Sequence, residues 1–165
     1  MRLTPFILAI VFAAGQSAAI SIHAQVAQPV VPAELRTFND ALSDATRRMD
    51  NAALVALWED DGVSLLPSTR PIAGKKAISD FITSVTSQMG SARMLKFTND
   101  CHDGVVSGDW ASEWCIEHQV VALGNDKTFD GWGKLLFILH RGTDGKWRLR
   151  EEMWNQASPA DSTFH

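Results

Sequence analysis

The side chains with chemistry to offer gather in the last third of the chain. Glu113, Glu117 and His118 sit amid Trp114 and Ile116, and Glu151 and Glu152 precede Trp154 and Asn155. A carboxyl or imidazole enclosed by indole rings loses hydration and shifts its pKa, which suits proton transfer. His118 and Glu152 are the candidate proton carriers on that ground; the alternative is a set of solvent-facing groups at a sheet rim. Trp132 and Lys134, with His118, would suit an anionic or aromatic ligand, unless Trp132 belongs to a subunit interface. Trp58 and Asp61 lie upstream, at the expected end of a short helix, and are placed near a pocket mouth. Asp61 would equally cap a turn, or hold Lys134 or an arginine.

Other chemistries find less support. Asp100, Cys101, His102 and Asp103 are metal-type residues, but strand alternation sends Asp100 and His102 one way and Cys101 and Asp103 the other. Four ligands do not converge from such a run, so no metal site is expected. The sequence holds no Ser-His-Asp spacing, nucleotide loop, zinc signature or haem motif. Nothing calls for a cofactor.

The elements that must position these groups follow from periodicity. Leu35, Phe38, Leu42, Ala45 and Met49 form one helical stripe over about 33–49. Asp50 or Asn51 caps a second helix carrying Leu54, Leu57 and Trp58, ended by Gly62, with a short strand at 63–66. Ile78, Phe81, Ile82, Val85 and Met89 mark a third helix, closed by Gly90. The period then becomes two, with strands at about 92–106, 110–122, 128–141 and 146–156 joined by turns at Gly108, Asn125 and Gly145.

Those turns predict cross-strand partners. His118 and Trp132 are equidistant from Asn125, and Cys101 and Cys115 from Gly108. Opposed residues in a non-hydrogen-bonded antiparallel pair have Cα atoms roughly 4.5 Å apart, so the cysteines can bridge. On the last strand, Glu152 shares a face with Trp154 and Glu151 with Asn155; the turn leaves open which pair points inward. Leu95, Phe97, Val105, Ala111, Leu135, Phe137 and Leu139 form one apolar set, and Trp110, Trp114, Ile116, Trp132, Leu136 and Ile138 the opposite one. Helices cover only one face of such a sheet, so the other is expected to meet a second copy as a homodimer.

Residues 1–24 resemble an export signal: Arg2, an apolar run over 5–14, and small residues up to Ala24, with Ala19 the second choice of cleavage site. The protein is therefore expected in the periplasm or medium, where a pair of cysteines favours a disulfide. Residues 25–33 form an extended leader, 34–156 one domain, and 157–165 a disordered tail. The net charge is −4 with no dense basic patch, which argues against nucleic acid and, after cleavage, against membrane as partners.

The runs WEDDGVSLLP over 58–67 and IAGKKAI over 72–78 resemble the helix-to-strand passage of SnoaL-like proteins. GDWA at 108–111, GKL at 133–135, DGKW at 144–147 and Trp154–Asn155 complete the pattern. The resemblance covers about 34–156 and is nearest to domain-of-unknown-function family 4440, in the nuclear transport factor 2-like superfamily. It implies an α+β fold: a conical barrel of three N-terminal helices on a strongly curved, mostly antiparallel sheet, with a deep pocket and usually a homodimer. It does not imply one reaction, since such proteins include isomerases, cyclases, dehydratases, hydrolases and binding or association modules. Ketosteroid isomerase builds its oxyanion hole from a tyrosine and a protonated aspartic acid, and this chain has no tyrosine.

Three functions are carried forward. The first is an exported pocket protein for a small apolar or aromatic molecule, drawing on Trp58, Asp61, His118, Trp132, Lys134, Glu152 and Trp154. The second is a cofactor-free acid/base enzyme of the isomerase, dehydratase or hydrolase type. The third is a dimeric association module whose pocket is filled.

Overall fold

The computed structural model describes residues 31–124 and 126–159. The export signal, residues 25–30 of the leader, Asn125 and residues 160–165 of the tail lie outside the described residues. No helix among the described residues is long and apolar enough to cross a membrane.

Helix α1 spans Ala33–Arg47 and buries Leu35, Phe38 and Ala45 along its apolar stripe. Helix α2, Asn51–Ala56, starts where the Asp50 carboxylate accepts the Ala53 N–H at 3.0 Å. Strand β1 (Trp58–Leu65), the short β2 (Ile72–Ala73) and helix α3 (Lys75–Met89) follow. Four strands complete the chain: β3 (Arg93–Ser107), β4 (Trp110–Gly124), β5 (Lys127–Arg141) and β6 (Trp147–Ala157). They form a six-stranded curved sheet in the order β2-β1-β6-β5-β4-β3, in which only β1 and β6 run parallel. The sheet is open, with β2 and β3 at its edges, so the architecture is a cone of α+β type rather than a closed barrel.

The passage from α2 into β1 departs from expectation. The helix stops before Trp58, and Trp58 opens a strand instead of closing the helix. By Leu57 the backbone is already committed to the sheet, its carbonyl accepting the Leu149 N–H at 2.8 Å. Gly62 is therefore not a helix stop. A Cβ there would lie 2.7 Å from the Trp58 ring, so only glycine lets β1 pass over the buried indole.

The core joins the concave sheet face to the helices. Leu35 and Phe38 pack with Cys115, Phe137, Leu139 and Leu149, and Phe38 meets Phe137 edge-on with ring centres 6.2 Å apart. Cys101 and Cys115 oppose each other and form a disulfide with Cα atoms 4.0 Å apart. Phe97, Ala111, Leu135, Phe137 and Leu139 are buried as one face, but Leu95 and Val105 are exposed. Register shifts between Met94 and Lys96, and between His102 and Val105, break the strict alternation of β3.

Candidate functional site

Helices and sheet enclose a cavity of about 570 Å³ to which every secondary element contributes. Leu42 of α1, together with Phe81 and Ile82 of α3, forms the apolar wall opposite Phe97, Leu135 and Phe137 of the sheet. The polar groups come mainly from the sheet: Asn99, Glu117, Gln119, Glu152 and the Trp154 indole.

Strand alternation explains the set. Cys115 faces inward, so Glu117 and Gln119, two and four residues on, share its face. Asn99 lies two residues before Cys101 and reaches the same cavity. Trp154 opposes Leu135, and its Nε1 donates to Glu117 Oε1 at 2.8 Å. The Gln119 amide approaches the same oxygen at 3.5 Å.

The two cavity carboxyls stand in a poorly solvating place. Burial raises the Glu117 pKa, and the Trp154 bond opposes that rise. Glu152 is pushed up to about 7, first by burial and then by the charge of Glu117. Glu152 has no hydrogen bond or ion pair among the described residues. The arrangement can hold one proton across two carboxyls inside an apolar chamber, one acid beside one base. Glu113, four residues earlier on β4 than Glu117, is a third buried carboxyl; burial raises its pKa, and the Asn39 amide donates to it at 3.1 Å.

Of the expected pocket residues, Trp58, Glu152 and Trp154 line the cavity. His118, Trp132 and Lys134 do not, because Glu117 points inward and its neighbour His118 must point outward. His118 and Trp132 do oppose each other, stacked at 4.0 Å between ring centres, but on the convex face, where Asp130 meets His118 Nε2 at 2.8 Å. Lys134 is exposed on that face too. His118 is buried there, and with Asp130 and Trp132 it borders a second depression, separate from this cavity. Asp61 is likewise outside the cavity, exposed and ion-paired with Arg150 at 2.9 Å.

Cys101, Glu113 and Cys115 bring three metal-type atoms within 4.8 Å of one another, but the two sulfurs are spent on their mutual bond. His102, in the run weighed above for metal, stacks on Trp114 at 4.5 Å. Sequence reasoning passed over Asn99 and Gln119. Both share a face with residues already singled out, two places from Cys101 and from Glu117, and that was the available signal.

No protein-family model matches the sequence, and no curated protein matches it. Solved structures do match. A ketosteroid isomerase-like protein from Erwinia carotovora atroseptica superimposes with a TM-score of 0.67 at 22% identity, over 77% of this chain and 96% of that one. A candidate dehydratase of the nuclear transport factor 2-like family from Streptomyces avermitilis gives 0.64 at 18%, over 76% and 94%. The chain has the nuclear transport factor 2-like fold. A further example with a cystatin-like fold, from Novosphingobium aromaticivorans, gives 0.58 at 18%, over 79% and 88%. In this nuclear transport factor 2-like fold the cavity lies between helices and concave sheet, where Glu117 and Glu152 are found.

Proposed function

We propose that the protein is an exported pocket protein that takes up a small, largely apolar molecule. The observation that carries this is the cavity of about 570 Å³, walled by leucine, isoleucine and phenylalanine, with a few polar groups on one side. Such a chamber gains affinity from apolar burial and orientation from a few fixed hydrogen bonds. An association module with a filled pocket fits poorly, because the chamber is open. The SnoaL-like branch is proposed on the motif order alone, and export on the N-terminal pattern together with the disulfide. Native mass spectrometry of the protein purified from its own host tests the reading. A retained small molecule supports it; an empty protein that also fails to take up apolar probes defeats it.

A second reading, a cofactor-free acid/base enzyme of the isomerase or dehydratase type, is favoured by Glu117 and Glu152. With one carboxyl ionised and the other protonated near neutral pH, one takes a proton from the guest and the other returns one elsewhere. Glu152→Gln and Glu117→Gln separate the two readings. An enzyme loses turnover while keeping the guest, whereas a carrier changes only in affinity.

The partner is proposed to be a second copy meeting the convex face. Trp110, Leu136 and Met153 are exposed there at 47%, 43% and 42%. This is more apolar surface than a solvated antiparallel sheet ordinarily presents.

A further inference from the structure

Resting on the pocket reading above, we infer that the guest is a hydrophobic monocation, a protonated amine on an apolar body, with its charge held between Glu117 and Glu152. The lining has two carboxyls and, among the described residues, no lysine, arginine or histidine. Cations close by are engaged elsewhere. Arg150 pairs with Asp61, Lys75 donates to the Trp58 carbonyl at 2.8 Å, and Arg47 donates to the Phe97 carbonyl at 3.4 Å.

Acceptors also outnumber donors on the polar side. Glu152 has no donor among the described residues, and Asn99 Oδ1 is buried without one. The Trp154 N–H is already spent on Glu117. An anion would meet the negative charge of the pair, with no cation in the lining to balance it. A neutral ketone or alcohol would engage the proton of the pair and add no charge to offset the carboxylate that remains. An ammonium group brings charge and two or three donors at once, and the Trp58 and Trp154 rings offer aromatic surface favourable to a cation.

Proton linkage follows from the same geometry. Thr46 of α1, Ser64 of β1, Asn99 of β3 and Gln119 of β4 share the cavity with the pair, and none of them titrates; α3 and β5 contribute only apolar groups. Glu113 is outside the lining and bonded to Asn39. A bound cation favours the doubly ionised pair, so uptake near pH 7 expels the proton held by the two carboxyls. Affinity therefore rises with pH through the range in which Glu152 ionises, then levels off.

The test uses the whole chain and three guests of one shape: 1-adamantylamine, 1-adamantanol and 1-adamantanecarboxylate. Binding is followed by calorimetry in two buffers of different ionisation enthalpy at pH 6 and pH 8. The amine is expected to bind about tenfold more tightly than the alcohol at pH 8, with a smaller preference at pH 6 and net proton release at pH 7. The Glu117→Gln, Glu152→Gln double variant should keep the alcohol and lose the preference. If the alcohol or the carboxylate matches the amine in the unaltered protein, the inference falls and the pocket reading stands. If none of the three binds, both fall.

Discussion

The Trp154 indole donates to the Glu117 carboxylate at 2.8 Å through a gap left by Gly133, the residue opposite Glu117 on β5. A Cβ at position 133 would stand 2.2 Å from the indole Nε1 and 3.0 Å from Glu117 Cγ. Gly133→Ala is expected to push the indole aside, break that bond and cost about 1–3 kcal/mol. Denaturant unfolding and tryptophan emission read both effects. An alanine variant with unaltered stability and emission would rule out the tight crossing.

Stability should fall with rising pH because of Glu152. Its carboxyl ionises at about 7 in the folded chain against an ordinary value of 4.5. The protonated form is thus favoured by folding; that stability is fully present below pH 4.5 and is lost as pH rises through 7. Glu152→Gln should match the parent at pH 4 and exceed it at pH 8 by on the order of 2–3 kcal/mol. Equal stabilities at pH 8 would show that the carboxyl is well solvated.

The disulfide should matter less for shape than for the unfolded chain. Cys101 and Cys115 close a short hairpin loop, their numbers 14 apart. Removing the link as Cys101→Ala with Cys115→Ala is expected to cost about 2–3 kcal/mol while leaving the far-ultraviolet circular dichroism intact. Collapse of the sheet signal would mean that the bond builds the hairpin rather than restraining it.

Assembly is tested on the convex face. Leu136 lies between Trp114 and Met153 across three strands. Leu136→Lys should convert a dimer to monomer in light scattering and leave cavity binding unchanged. A parent that is monomeric at the highest attainable concentration would remove the dimer proposal.

Register was legible only in part. Beside each turn the strands pair one residue off the expected alignment, Val105 with Ser112 and Gly124 with Lys127, and register shifts between His102 and Val105 and between Ala122 and Gly124 then bring Cys101 opposite Cys115 and His118 opposite Trp132. Parity within a strand was not legible, because bulges leave no reliable mark in composition. Leu149 and Glu152 both line the cavity although they are an odd number apart, since a register shift near Ile138 and Leu139 absorbs one residue of β6. A similar shift turned Val105 outward. Trp58 was hidden for another reason. Its run fits a helix locally, and only distant pairing of β1 with β6 pulls it straight. Alternation along β4 already separated His118 from Glu117, which is why the two residues border different depressions.

The parallel pairing of β1 with β6 has a temporal consequence. Val63 meets Glu151 only after almost the whole chain exists, and Glu152 and Trp154 sit on that last ribbon. Contacts so remote in sequence form late. A chain halted before residue 147 can build its hairpins yet owns no receptacle, so nothing can be loaded while synthesis is under way. A guest of the proposed kind would enter only after the C-terminal segment docks.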